Sequence, residues 1–501
     1  MSGARAAGTN AGADGADPRR WWGLVVIALA QLMVVLDATI VNIALPSAQR
    51  ALGMSDGNRQ WVITAYTLAF GGLLLLGGRI ADLVGRKRTF VIGLVGFAAA
   101  SAFGGAAQTP GMLFGARALQ GAFAAVLAPS ALSLLTTTFT DPRERGKAFG
   151  IYGALAGSGS AIGFIVGGLL TEYLNWRWCL YVNVPIAILA VAGALTLLRD
   201  RPGHTGARLD VPGALLGCGG LVALVYGFSE AQPRGWSDPL VLGLFAAGAL
   251  LLAGFVWWQT RAPSPLLPLH IVKDRNRAGS FLTMALATVA MFGLFLFLTY
   301  YLQVILGYSP VRAGLGFLPL TVAIIVGSTQ ISARLLHRVA PRLLMVPGML
   351  LAACGLLLLT RITVHSSYPT EILPALLLMG LGMGLTFMPV FATATSGVAP
   401  QDSGVTSATV NTSQQVGGSI GTALLNTVAT TSTATYLAAH LHDPAQKAAV
   451  VPEAVVHGYT VAIWWAVGVM LLAALVAGLL VTAKPPKHDA AAETPMPEPV
   501  G

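Results

Sequence analysis

The sequence predicts an all-α membrane protein with fourteen transmembrane helices, and three observations carry that prediction. Hydrophobic residues make up 55% of the 501-residue chain and charged residues only 10%, whereas a soluble domain carries about 25% charged residues. Mean hydropathy is +0.71. Mainly apolar runs of about 20 residues, the length that crosses a hydrocarbon core of about 30 Å, recur between short clusters of Arg, Lys, Pro and Gly. Membrane strands would be about 10 residues long and alternating, so every run is read as a helix.

The runs fall at 21–45, 61–80, 89–107, 112–138, 147–171, 178–198, 211–229, 239–259, 279–306, 313–333, 342–361, 372–396, 404–431 and 458–482. The net charge of +10 raises the question of nucleic acid. With the N-terminus placed in the cytoplasm, most of the 30 Lys and Arg residues fall in cytoplasmic loops and tails, which is the positive-inside pattern of a multi-pass protein. The charge orients the chain, with both termini cytoplasmic, and nucleic acid is not an expected partner. The apolar run continues well past "ALA" at Ala28–Ala30, so the first helix is read as uncleaved. Cys179, Cys218 and Cys354 are isolated within spans and are read as small core residues. No metal or cofactor is expected. Residues 1–20 and 483–501 are read as disordered cytoplasmic tails, being rich in Gly, Ala, Pro and charge.

An internal repeat would organise the fourteen spans. "GGRIADLVGRKRTF" (Gly77–Phe90) and "SARLLHRVAPRLLM" (Ser332–Met345) are both short basic cytoplasmic turns. If each joins the second and third helices of a six-helix bundle, residues 21–200 form an N-terminal bundle and 266–482 a C-terminal one. Residues 201–265 then become an inserted helix pair.

Several segments together resemble one family. "LDATIVNIALP" (Leu36–Pro46) is similar to a first-helix signature, "GGRIADLVGRKR" to the cytoplasmic motif A, and "LFGARALQGAFAA" to motif B. "NWRWCLYVNVP" resembles the junction after helix five and "YYLQVILGYSPVRAGLGFLP" the start of the second bundle. On these residues the chain, from about Trp21 to Thr482, resembles the fourteen-helix drug:proton antiporter family (EmrB/QacA type) of the major facilitator superfamily. The resemblance implies the major facilitator fold, two six-helix bundles plus two inserted helices. It also implies efflux of hydrophobic or cationic compounds, antibiotics included, across the bacterial cell membrane, in exchange for protons.

Two ionisable residues lie deep inside spans, Asp37 and Arg117. Asp37 stands nine residues before Pro46 and Arg117 six after Gly111, roughly 13 Å and 9 Å below the outer surface at 1.5 Å per residue. Charges inside a bilayer usually face one another or a watery cavity. Two readings follow: a proton-coupling carboxylate modulated by the guanidinium, since burial and a neighbouring cation act oppositely on a carboxylate's proton affinity, or a fixed ion pair that only holds helices together. The family resemblance implies the first.

Asp82, Gly85 and Arg86 belong to motif A, which the resemblance identifies as a conformational latch. Asp82 suits a neighbouring helix N-terminus and Gly85 a tight turn, while Arg86, Lys87 and Arg88 are read as interfacial. Leu83 stands where the family often has a basic residue. Gly159, Gly163 and Gly167, with Gly168 beside them, form a glycine face suited to close, sliding contact between the bundles or to static packing. Phe164 occupies the usual motif C proline position, which loosens the link from that motif to antiport.

For the substrate cavity, Ser407, Asn411 and Gln415 share a helical face with Gln414 beside it, and this face either lines the cavity or bonds to a neighbouring helix. Gln31 and Asn42 offer a second polar surface, and Tyr66, Phe70 and Phe123 are candidate aromatic walls. The last six spans hold no internal charge, so coupling is expected in the first bundle alone.

No Walker-type GxxxxGK[ST] occurs, which argues against drive by ATP, no HExxH zinc motif is present, and no GxSxG nucleophile elbow is expected. An enzyme is therefore not expected. A nutrient symporter would want more charged contacts to a hydrophilic solute. A sensor or scaffold would want a long polar signalling segment. The expected partners are a small hydrophobic or cationic substrate, protons and the lipid bilayer, and the expected state is a monomer.

Overall fold

The computed structural model describes residues 19–139, 142–198, 209–336, 338–398, 402–441 and 447–483. Fourteen long helices run through them. In the first half these are α1 (Arg19–Leu52), α2 (Trp61–Val84), α3 (Arg86–Gly105), α4 (Pro110–Thr138), α5 (Pro142–Tyr173) and α6 (Trp178–Leu197). An inserted pair, α7 (Val211–Arg234) and α8 (Pro239–Gln259), follows. The second half holds α9 (Arg275–Ile305), α10 (Pro310–Leu335), α11 (Arg342–Leu359), α12 (Tyr368–Thr395), α13 (Ser403–His440) and α14 (Lys447–Leu480).

Each apolar run lies on one of these helices, but several helices outrun it. α1 continues through Pro46 to Leu52, because hydropathy reports the stretch in hydrocarbon while backbone hydrogen bonding continues past the interface. Among the described residues, twelve helices are long and apolar enough to cross a membrane by length and composition alone. α5 and α13 are not among them: α5 opens on a charged turn and is rich in Gly, and α13 is studded with Ser, Thr, Asn and Gln.

The same helix pairs pack in both halves. α2 lies on α4 as α10 lies on α12, α3 on α4 as α11 on α12, α1 on α5 as α9 on α13, and α1 on α6 as α9 on α14. The repeat is therefore one of packing partners, which the two basic turns alone did not establish. Small residues set the closeness: a Cβ on Gly77 of α2 would lie 2.0 Å from the Ala125 carbonyl oxygen of α4. Arg177, in the junction between α5 and α6, donates to the carbonyls of Gly105 (2.8 Å) and Ala107 (2.5 Å), where a cation meets the negative end of α3.

The inserted helix α7 packs on both α2 and α13, so it straddles the seam between the bundles. Gln60 donates to Ser229 Oγ (2.8 Å) and Thr427 to the Phe228 carbonyl (2.8 Å). The pair is closed by Asp210, whose carboxylate accepts from Gly213 N (2.9 Å), Trp258 Nε1 (2.6 Å) and Gln259 Nε2 (2.8 Å).

Hydrogen bonds between the two bundles gather in the half of the molecule where α1 ends and α2 begins. Arg59 reaches Tyr459 Oη (3.4 Å), Thr67 Oγ1 pairs with Ser419 Oγ (2.7 Å), and Gln303 donates to the Ile43 carbonyl (2.9 Å). Asn426 donates to the Asp56 carbonyl (3.1 Å), Val311 N to Glu172 (2.9 Å), and the Tyr300 hydroxyl to Gln49. A continuous apolar core from both bundles surrounds these bonds, with Phe164 of α5 stacked on Phe317 at 4.9 Å between ring centroids. This is the sealed end.

Candidate functional site

Asp37 and Arg117 meet. Asp37 is 0% and Arg117 1% exposed, and Arg117 Nη1 lies 2.6 Å from Asp37 Oδ2. The sequence reason is register: the two residues lie at one depth on helices running in opposite directions. Burying two charges is costly and is offset only by close geometry with further hydrogen bonds. Both conditions hold. Arg117 Nε donates to the Val62 carbonyl (2.9 Å), Nη1 also reaches Gln120 Oε1 (2.9 Å), and the guanidinium sits 4.3 Å from the centroid of the Tyr66 ring.

The other carboxylate oxygen is equally engaged. Asp37 Oδ1 accepts from Gln120 Nε2 (2.9 Å) and Asn183 Nδ2 (2.8 Å). Both amides lean on Ser101 Oγ, at 2.6 Å from Gln120 and 3.3 Å from Asn183. Gln120, Ser101 and Asn183 were not foreseen. Gln120 lies one turn after Arg117 on the same face and Asn183 within the helix-five junction, so both signals were legible. Val41, Leu45, Val62, Leu113 and Trp176 bound a small apolar cavity that reaches Arg117 from the sealed end.

The structure packs several of the expected cavity residues against their neighbours in the first bundle. Tyr66 is 1% exposed and belongs to the ion-pair site, because its ring covers the guanidinium instead of walling an open cavity. Phe70 is buried against Tyr66, with ring centroids 5.8 Å apart. Phe123 rests on Gly96 of α3, in the gap a missing side chain leaves between helices. Asn42 is buried and donates back to the Ala38 carbonyl of its own helix (2.9 Å). Gln31, half-buried, accepts from the Tyr152 hydroxyl (2.6 Å).

On α13, Ser407, Asn411, Gln414 and Gln415 are all half-buried. Asn411 donates to the Ser407 carbonyl (3.1 Å), and the Gln415 side chain fills the space above Gly71 of α2, across the seam between bundles. Further along, Gly417, Ser419 and Gly421 have the GxSxG spacing of a nucleophile elbow. Here the segment lies mid-helix, with Ser419 buried against Thr67, so the pattern serves packing.

Of the two expectations for the glycine face, the structure matches helix packing inside one bundle. Cβ atoms on Gly159, Gly163 and Gly167 would meet Val35, Thr39 and Ile40 of α1, so this face seats α5 on α1 inside the first bundle. Spacing by four defines a face but not which neighbour it meets. Gly168, one residue on, does face the second bundle, at Pro310 and Val311.

In motif A, Gly85 has φ +101°, a conformation that favours glycine, and it joins α2 to α3. Arg86, half-buried, opens α3. Lys87 is not simply interfacial, since it donates to the carbonyls of Leu195 (3.0 Å) and Leu198 (2.7 Å) at the end of α6. The Asp82 side chain lies outside the described residues.

Two six-helix bundles, sealed at one end beside a buried carboxylate–guanidinium pair, define a solute transporter of the membrane. The sequence pattern of the Major Facilitator Superfamily matches residues 27–422, and the chain belongs to that superfamily. It is similar to the puromycin resistance protein pur8 of Streptomyces alboniger, 58% identical over 482 residues that cover 96% of this chain and 95% of that one. It is also similar to the cephamycin export protein CmcT of Amycolatopsis lactamdurans (40% identical, 84% of this chain and 88% of that one). A tetracenomycin C resistance and export protein of Streptomyces glaucescens is 35% identical, over 82% of this chain and 76% of its own. Among solved structures, a bacterial homologue of the human lysosomal transporter Spinster, inward-facing and unoccupied, superposes with TM-score 0.65 at 17% identity, covering 93% of this chain and 98% of that one. The POT family transporter PepTSo does so with TM-score 0.65 at 16% identity, covering 93% and 98%.

Proposed function

We propose that the protein exports hydrophobic or cationic small molecules, an antibiotic of the puromycin kind among them, in exchange for protons and by alternating access. The observation that carries this is the Asp37–Arg117 pair, 2.6 Å apart and closed off from solvent. A proton delivered to Asp37 cancels its charge and leaves Arg117 buried without its counter-ion. The pair is therefore stable in one protonation state and frustrated in the other, which is what a two-state element needs. α1 carries Asp37 and, at its far end, Gln49, which the Tyr300 hydroxyl of the second bundle bonds. A change at Asp37 thus acts on a helix that also forms part of the seal.

In this reading the protein lies in a bacterial cytoplasmic membrane as a monomer with both termini inside, and the sealed end faces out. Bundles at 21–200 and 266–482 rock about the site, with 201–265 inserted and 1–20 and 483–501 as tails. Asp82, Gly85 and Arg86 latch the bundles on the cytoplasmic side when the outer end opens. Gln31, Ser407, Asn411 and Gln414 line the substrate path. The puromycin-resistance relative, at 58% identity, names the first compound to try.

The test is transport in proteoliposomes under an imposed pH gradient, with puromycin and a panel of cationic dyes and antibiotics, beside Asp37→Asn. Gradient-driven antiport that is lost in Asp37→Asn is the expected result. Solute and proton moving in the same direction, or full coupling in Asp37→Asn, would overturn the reading.

A further inference from the structure

The hydrogen bonds at Asp37 are arranged for a carboxylate and not for an acid. Oδ1 accepts from two amide N–H groups, Gln120 at 2.9 Å and Asn183 at 2.8 Å. A protonated Asp37 has an O–H that must donate, and an amide NH2 cannot accept it. Gln120 Oε1 is already engaged by Arg117 Nη1 at 2.9 Å, and turning that amide would give up this bond. Asn183 has a free oxygen: its Oδ1 is buried and has no hydrogen-bond partner, on a residue 0% exposed.

We infer that Asn183 is a positioning residue that reads the charge of Asp37 by turning its side-chain amide over. The inference rests on the proton-coupling role of Asp37 proposed above. With Asp37 ionised, Asn183 Nδ2 donates to Oδ1, as the structure has it. When a proton from water bonds to Oδ1, half a turn about the terminal torsion, which is broad and two-fold in Asn, brings Asn183 Oδ1 round to accept it. The donor is a hydronium ion, whose O–H bond breaks as the Asp37 O–H bond forms and which leaves as water, and Arg117 keeps its proton. The buried oxygen that lacks a partner while Asp37 is ionised gains one when the acid is protonated. Asn183 lies in the first turns of α6, just after the junction that Arg177 ties to the end of α3, so its reorientation occurs where three helices of the first bundle meet.

The titratable groups facing Asp37 are few. Arg117 comes from α4, Tyr66 from α2 and Cys179 from the start of α6. α5, α9 and α10 also pack on α1; α5 carries no Asp, Glu, Lys or Arg between Lys147 and Glu172 and α9 none between Arg277 and Tyr300, while Arg312 at the start of α10 lies over the Tyr308 ring. A protonation signal at Asp37 is therefore separable from its surroundings.

The test is a pH titration of the purified protein in lipid nanodiscs by infrared difference spectroscopy, which requires no substrate. The wild type is expected to show a protonated-carboxyl C=O band that rises together with a shift in a side-chain amide band. Asp37→Asn is expected to abolish the carboxyl band; if it does not, the role of Asp37 falls and this inference with it. Given that loss, Asn183→Leu is expected to remove the coupled amide shift and to move the carboxyl midpoint. Asn183→Asp is expected to raise the midpoint by about one pH unit or more, since two carboxylates sharing a site cannot readily both ionise. A residue with a merely structural role would lower protein yield without moving the midpoint. Should both Asn183 variants keep the wild-type midpoint and amide shift while Asp37→Asn loses the band, the inference about Asn183 is overturned and that about Asp37 stands.

Discussion

Arg59 of the first bundle lies over the ring of Tyr300 in the second, 3.8 Å from its centroid. The guanidinium is 4% exposed, bonded to Asp56 at 3.1 Å and to Tyr459 Oη at 3.4 Å. A desolvated cation–π contact contributes about 2 kcal/mol. Arg59→Gln is therefore expected to shift the balance toward opening of the sealed end by about tenfold or more. A single cysteine at Ser419, with Cys179, Cys218 and Cys354 replaced, should then label faster with a membrane-impermeant reagent added from that side. An unchanged labelling rate would show that the contact does not hold the seal.

Removing one member of the buried pair should be worse than removing both charges. Arg117→Ala leaves Asp37 buried without its cation, and breaking a buried pair in this way costs about 3–5 kcal/mol. The double variant Asp37→Asn with Arg117→Gln has no buried charge and is expected to regain much of the lost thermal stability while staying inactive in transport. Equal melting temperatures for the single and double variants would contradict this.

Gly77 and Gly115 should respond in opposite directions to alanine. A Cβ at Gly77 would sit 2.0 Å from a backbone oxygen, whereas one at Gly115 meets nothing within 4 Å. Gly77→Ala is expected to cost about 1–3 kcal/mol through overpacking. Gly115→Ala, inside α4, is expected to be neutral or to stabilise by about 0.5–1 kcal/mol. Thermal unfolding in detergent checks both.

The clasp at the base of the inserted pair carries its own pH signature. Burial would raise the proton affinity of Asp210, but hydrogen bonds from Gln259, Trp258 and the backbone of Gly213 and Leu266 outweigh it and hold the carboxyl below its ordinary value. A lowered folded-state value means that the stabilisation is fully present above the unfolded value of about 3.9 and is lost as pH falls through the lower, folded one. Asp210→Asn should therefore narrow its stability gap to the wild type only below about pH 4. A gap that closes between pH 5 and 8 would assign the effect to another group.

Apolar runs of membrane-spanning length are an unambiguous signal, so the helices were readable from the sequence. The meeting of Asp37 and Arg117 was readable as well, because depth along a helix follows from counting residues. Azimuth is different. Gly159, Gly163 and Gly167 define a stripe, yet only packing shows that α1, not the other bundle, fills it. Tyr66 and Phe123 looked like cavity walls for the same reason: an aromatic on a helix carries no mark of what it faces. Arg59 was hidden differently. It precedes α2 in what reads as an ordinary charged loop, and its burial comes from Tyr300 and Tyr459, hundreds of residues away.

No Asp, Glu, Lys or Arg occupies the middle of any helix from α9 to α14, so the charged interior belongs to one half of the molecule. Substitution there meets an electrostatic penalty at nearly every position around Asp37. The polar groups inside the other half are uncharged, mainly Ser, Thr, Asn and Gln. Exchanges in that half therefore leave no buried ion without its counter-charge.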